Sequence, residues 1–219
     1  MSGPPRFLLV GLTGGIATGK STVSELLRQL GCEIIDADRL ARDVVEPEQP
    51  AWKQIVADFG RGVVNADGTL DRKKLGAIVF ADPDRRKRLE AITHPAIRAR
   101  FQTRLDELAA QGFAGIVVFD APVMIESGGY RNMDRLVVVV TDEATQASRL
   151  RTRDGTDDAE GRRKVASQMP LAEKAKLRTT SSTTPAIARP PPPRCGACSR
   201  RSWPTSRRAG RRSRARHRP

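Results

Sequence analysis

The residues with the plainest chemical purpose are Gly14-Gly15-Ile16-Ala17-Thr18-Gly19-Lys20-Ser21, which fit the spacing G-x-x-x-x-G-K-[ST]. Glycines let a backbone curl until successive N–H groups point inward at phosphate oxygens. A helix starting near Lys20 adds the partial positive charge of its N-terminus at the same place. In that geometry Lys20 reaches the β- and γ-phosphates of a nucleoside triphosphate, and the Ser21 hydroxyl is a ligand for Mg²⁺. Thr22 extends the wrapped segment by one residue. A strand ending at Leu12 and a helix beginning near Lys20 supply the context that a chance glycine-rich turn would lack. The motif is silent on what receives the phosphate.

Further along, Asp36 and Asp38 follow the short apolar stretch Glu33-Ile34-Ile35. They fall at the carboxyl edge of an expected strand, where open α/β sheets place ligands. A carboxylate there can orient an attacking hydroxyl or take its proton, and it can also cap the helix beginning near Arg39. Asp120 ends another apolar run, placed either to help hold Mg²⁺ through water or to stand as a solvated strand-end carboxylate. His94-Pro95 precedes a helix carrying Arg98, and His94 reads as a cap or packing residue or as a functional group. Arg149, Arg151 and Arg153 are two residues apart, so on a helix they spread over more than one face. An arginine there can stabilise charge on a transferring phosphoryl group, with a solvated charged face as the plain alternative.

The elements that must position these groups are legible from periodicity. Phe7 to Leu12, Gly115 to Phe119 and Arg135 to Val140 are continuous, β-branched runs, as expected for parallel strands covered on both faces. Glu33 to Asp36 is a weaker fourth strand. Ser21 to Leu30 sets Val23, Leu26, Leu27 and Leu30 at helical spacing, and Pro95 to Ala110 does the same with Ile97, Phe101, Leu105 and Leu108. Asp67-Gly68 predicts a turn, and Leu70 to Leu89 predicts two short helices broken near Asp82-Pro83. Strands alternating with helices imply an α/β fold: a P-loop-type parallel sheet with helices on both faces. To this the pattern adds a helical acceptor-side region over about 64–112 and a lid over about 149–168, all within a domain spanning 1–177.

Length and charge limit the function classes. The chain of 219 residues suits one domain of ordinary size. Its net charge of +14 is localised: residues 178–219 hold 12 arginines and no acidic side chain, leaving 27 basic against 25 acidic residues before them. The body is close to neutral, without a basic stripe interleaved with aromatics, which argues against a dedicated nucleic-acid-binding protein. No apolar run approaches the roughly 18 residues of a membrane span. Three cysteines give no disulfide framework, and with no signal peptide in evidence the expected compartment is the cytoplasm.

Taken together, these residues resemble the dephospho-CoA kinase family. The resemblance is carried by Leu12-Thr13-Gly14-Gly15-Ile16 with Lys20, by Asp36-Ala37-Asp38 with Ala41-Arg42, and by Val44-Val45-Glu46-Pro47. It continues through Asp67-Gly68-Thr69-Leu70-Asp71-Arg72, His94-Pro95-x-Ile97-Arg98, Pro122-x-x-Ile125-Glu126, and Thr145-Gln146 with Arg149 and Arg153. The resemblance implies transfer of the γ-phosphate of ATP, with Mg²⁺, to the ribose 3′-hydroxyl of dephospho-CoA. It implies Asp38 as the base at that hydroxyl, His94 and Arg98 as acceptor-binding residues, and Arg149 and Arg153 as lid contacts to ATP. Two small departures are Ala17, where the family has glycine, and Val123-Met124, where it has paired leucines.

The large departure begins at Arg178, where the family continues Ala-Asp-x-Val-Ile-Asp-Asn and this chain reads Arg178-Thr179-Thr180-Ser181-Ser182-Thr183-Thr184. The usual codons for these residues begin CG, AC, AC, TC, TC, AC, AC. Read one nucleotide earlier, those pairs become codon endings compatible with Ala-Asp-Tyr-Val-Ile-Asp-Asn at every position. Residues 178–219 therefore read as an out-of-frame tail, too polar and proline-rich to form a buried strand, with the sheet expected to lack its last strand. Its arginines predict non-specific binding to nucleic acid, and Cys195-x-x-Cys198 has no second pair to complete a zinc site. The expectation is weak or absent kinase activity in this chain. Resequencing the gene around codon 177 should reveal a single-nucleotide insertion or deletion; an intact frame in independent clones would remove the basis for this reading.

Overall fold

The computed structural model describes residues 7–155, 157–178 and 180–183, and the remainder of the basic tail lies outside them. Five strands form one parallel sheet: β1 (Leu8–Gly14), β2 (Glu33–Asp36), β3 (Ile116–Asp120), β4 (Arg135–Val140) and β5 (Thr180–Thr183), in the order β2-β3-β1-β4-β5. Registers align Leu12 with Asp120 and Asp36 with Asp120, so the carboxyl ends of the three left-hand strands finish side by side. The reversal of connection at β1 opens a crevice at that edge, the standard ligand position in such sheets.

Alternate strand residues feed two cores, as a parallel sheet with two covered faces requires. On one face Val10, Leu12, Val118 and Val139 pack with Val23 and Leu27 of α1 (Lys20–Gln29). On the other, Ile35 and Val117 pack with Leu40 of α2 (Ala37–Asp43) and with Ile97, Phe101, Leu105 and Leu108 of α5 (Pro83–Ala110). The expected apolar face of α1 is only half correct, because Leu26 and Leu30 are exposed and Ser24 is buried in their stead. Sequence spacing placed four leucine and valine positions on one side; only Val23 and Leu27 reach the core over β1.

A satellite core sits beside the sheet, built by Val44, Val45, Trp52 and Ile55 around α3 (Pro50–Phe59) with Leu75 of α4 (Arg72–Ala81) and Ile92 of α5. The break at Asp82-Pro83 is present, and the Asp82 side chain caps α5 by accepting from Asp84 N and Arg85 N. Contrary to expectation, no second short helix ends before Pro95. One 28-residue helix runs through it. Proline removes one hydrogen bond, to the carbonyl four residues back. Here both Pro95 and Ala91 are exposed, so water can serve that carbonyl, and the buried contacts on either side hold the helix together.

The lid region consists of α6 (Glu143–Asp154) and α7 (Asp158–Ala166), followed by α8 (Leu171–Lys176) leading to β5. The expectation of a missing last strand is corrected: Thr180–Thr183 pairs with Val137–Val140 of β4. A ladder is made by backbone groups, and threonine is a favourable strand residue, so four residues of altered sequence still pair. The α8 helix is anchored by Lys174, whose side chain is fully buried, forms a 2.6 Å ion pair with Glu126 and approaches the Pro122 carbonyl at 3.4 Å. Removing the partner of a buried ammonium is costly. Replacing Glu126 with leucine should lower unfolding free energy by about 2 kcal/mol, reduced from the fully buried case by the partial exposure of Glu126. Glu126→Leu combined with Lys174→Met should recover most of the loss in a denaturant titration, and no recovery would contradict the pairing.

Candidate active site

The glycine-rich loop leaves β1 at the centre of the carboxyl edge and ends in α1, whose first residue is Lys20. Its curl is enforced by contact. A Cβ on Gly14 would lie 2.8 Å from both the Val139 carbonyl oxygen and Thr18 Oγ1. One on Gly15 would meet Leu171 at 3.0 Å and Gln146 at 3.1 Å. Gly19 takes a left-handed φ of 94° as the N-cap of α1, and a Thr18 N–H bond to Gly15 O at 3.3 Å closes the turn. The buried Thr18 hydroxyl donates to the same Gly15 carbonyl.

Lys20 is ion-paired with Asp120 at the end of β3, where Asp120 is 5% exposed. The Walker lysine and the strand-end carboxylate are therefore brought together, and the reading of Asp120 as merely solvated is excluded. Ser21 and Thr22 lie exposed in the first turn of α1. On β2 the two aspartates separate in role. Asp36 caps α2, accepting from Asp38 N at 2.8 Å and Arg39 N at 3.2 Å. Asp38 sits two residues further, exposed, and among the described residues its carboxylate has no hydrogen-bond or ion-pair partner.

His94 and Arg98 lie one turn apart on α5 and line one cavity of about 380 Å³ with Phe101, Phe119, Ala121 and Met124. Phe119 and Ala121, the residues on either side of Asp120, line the same cavity. On α6, Arg149 donates to the Ala17 carbonyl at 3.1 Å, which joins the lid to the loop. Arg153 instead forms two bonds with Asp154, at 2.6 and 2.9 Å. The α6 cap is Asp142, whose carboxyl is held below the usual range by bonds from the Thr145 hydroxyl and N–H. Two contacts were not foreseen from the sequence. Gln146 donates to the Ile16 carbonyl at 2.7 Å, and Gln168 accepts from the Ile16 N–H at 2.8 Å. The only sequence trace of the first was its place beside Thr145 in the lid entry; the second had none.

The family model for dephospho-CoA kinase matches residues 8–181. The chain belongs to the dephospho-CoA kinase family. It is 50% identical to the dephospho-CoA kinase of Geobacter sulfurreducens over 167 residues, spanning 76% of this chain and 84% of that protein. Identity to the Geobacter metallireducens enzyme is 52% over 168 residues, 77% of this chain and 83% of the relative. Among solved structures, Thermus thermophilus TT1252 superposes with a TM-score of 0.73 at 31% identity, covering 83% of this chain and 90% of that one. The dephospho-CoA kinase of Campylobacter jejuni gives 0.59 at 28% identity, with coverage of 80% and 87%.

Within this dephospho-CoA kinase family member the two small departures have different weight. Met124 is 2% exposed and fills the space over Gly11, so apolar packing survives there, whereas Val123 is 55% exposed. Ala17 adopts a φ of 57°, the left-handed region in which a Cβ is strained. Alanine therefore does cost something at this position. Ala17→Gly should raise unfolding free energy by about 1 kcal/mol in urea, since relief of strain outweighs the added freedom of the unfolded chain. Ala17→Val should lower it, and equal stability for all three would show that the loop does not hold this conformation.

Proposed function

We propose that this chain phosphorylates the ribose 3′-hydroxyl of dephospho-CoA with ATP, releasing ADP and coenzyme A. The observation that carries the reading is the convergence of Lys20, Asp120 and the His94–Arg98 cavity at one sheet edge. Backbone N–H groups of the loop beyond Ile16 and the Lys20 ammonium take the triphosphate, exchanging the Asp120 carboxylate for phosphate oxygens. Arg149 already touches the loop, and rotation of its guanidinium from the Ala17 carbonyl brings it to phosphate. Arg153 reaches the nucleotide only by giving up Asp154.

His94 and Arg98 hold the acceptor in their cavity, where Phe101 and Phe119 supply apolar walls. Asp38, free of the capping task that Asp36 performs, takes the proton of the ribose hydroxyl as its oxygen forms a bond to the γ-phosphorus. The bond from that phosphorus to the β–γ bridging oxygen breaks, and ADP leaves. Ser21 hydroxyl and Asp120 carboxylate are hard oxygen donors that fit Mg²⁺, which keeps few protein ligands and takes the rest from phosphate and water. Among the described residues no cluster of three acidic, histidine or cysteine ligands exists, in keeping with such a shared site. Held by Ser21 and Asp120, the ion would neutralise negative charge on the triphosphate.

The altered sequence after Leu177 is a lesion that slows the reaction, because the family's last-strand and following-loop residues are replaced. Its 12 arginines give the chain non-specific affinity for nucleic acid as a by-product of composition. No helix among the described residues is long and apolar enough to cross a membrane.

A coupled ADP-release assay tests the reading with dephospho-CoA, nucleoside monophosphates, gluconate and shikimate as acceptors. Slow turnover is expected with dephospho-CoA alone, reduced by roughly 100-fold or more in Lys20→Ala and in Asp38→Ala. Preference for another acceptor, or full activity in Lys20→Ala, would overturn it. Turnover as fast as an intact family member would refute the lesion alone.

A further inference from the structure

The Ile16 peptide, at the entrance to the phosphate loop, is held from both sides by side chains far away in sequence. Gln146 Nε2 donates to its carbonyl at 2.7 Å, and Gln168 Oε1 accepts from its N–H at 2.8 Å. Gln146 stands on α6 and is 1% exposed; Gln168 stands in the segment between α7 and α8. Two extended protein segments would bond such a peptide as a strand does, but here two glutamines from the lid region play that part.

The Gln146 amide also shows what it is fixed to. Its Oε1 is buried with no hydrogen-bond partner among the described residues, an arrangement that costs free energy. Rotating the amide would place that oxygen against the Ile16 carbonyl and lose the donor. The orientation is thus set by Ile16. Gly15 supports the same contact, because a Cβ there would press on Leu171 at 3.0 Å and on Gln146 Nε2 at 3.1 Å. The glycine is needed at this position for close approach of the lid base, and its φ lies outside the left-handed region.

We infer that Gln146 and Gln168 are positioning residues that set the curl of the phosphate loop from the lid side. With the Ile16 N–H committed to Gln168, the phosphate grip falls to the amides further along the loop, and their direction depends on where this peptide is held. Movement of α6 or of the α7–α8 segment is then transmitted to the loop through two hydrogen bonds. The inference rests on the reading of this loop as the nucleotide site.

Calorimetric titration of the full-length protein with Mg²⁺-ADP tests it. Gln146→Met and Gln168→Met keep side-chain volume and remove the bonds. Each should weaken ADP binding by roughly three- to tenfold, and the double variant by less than the product, since both act on one peptide. The melting temperature without nucleotide separates this from a general loss of packing. Gln168→Glu retains an acceptor for the Ile16 N–H, whereas Gln146→Glu loses the donor and sets a carboxylate against a carbonyl. Both add the same charge beside the loop, so Gln146→Glu should bind ADP at least threefold more weakly than Gln168→Glu. Equal effects of the two glutamates, or methionine variants that bind ADP like the parent while melting earlier, would overturn the inference. A parent that bound no ADP would overturn the nucleotide reading together with it.

Discussion

Everything at the functional edge depends on how tightly the backbone after β1 can turn. The chain must leave the centre of a parallel sheet, close a turn over Gly15–Thr18, and enter α1 with its N–H groups exposed. Space for that turn is set by the neighbouring strand. The Val139 carbonyl stands where a Cβ of residue 14 would go, and a carbonyl in a sheet cannot retreat. Gly14 and Gly15 are therefore demanded by proximity, and Gly19 by dihedral angle. These are separate physical demands met by one residue type. Ala17 breaks the pattern at a left-handed position, and its small side chain keeps the strain modest.

The resting electrostatics follow from the same crowding. Lys20 is carried to the strand ends by the loop, and a cation only partly exposed needs a counter-charge. Asp120 provides it from β3. In the proposed reaction a phosphate takes the place of the carboxylate at Lys20, which frees the carboxylate for a cation. Arg149 donates to a neutral loop carbonyl, a weaker partner for its guanidinium than an anionic oxygen. Asp36 is fixed by its two backbone bonds, whereas its neighbour Asp38 is left available. One carboxylate builds the helix and leaves the other for the proposed role of base.

Much of this was legible in the primary structure. Continuous β-branched runs mark strands buried on both faces, so β1, β3 and β4 stand within a residue or two of their expected bounds. The phosphate loop is legible because its chemistry demands fixed residue types at fixed spacing. Where expectation missed, an influence from outside the local window was responsible. Pro95 looked like a helix start, yet packing of Ile92 and Leu105 on two different cores carries one helix across it. Leu26 and Leu30 had helical spacing, but the turn of α1 that packs on the sheet presents Val23 and Leu27 and leaves those two exposed. Thr180–Thr183 looked unfit for a strand, but an open edge on β4 recruited its backbone.

The sequence by itself determined the class of fold, the grip on a triphosphate and the membership of a family, because these rest on local patterns of residue type. It left open which aspartate caps and which is free, whether residue 17 must be left-handed, and what holds the loop from outside. Tertiary structure decided those. What holds the loop from outside depends on groups 100 or more positions apart meeting within hydrogen-bond distance, as Ile16 meets Gln146 and Gln168 and Lys20 meets Asp120. No local pattern encodes such a meeting, for it is fixed only when the strands have taken their order and the helices their faces.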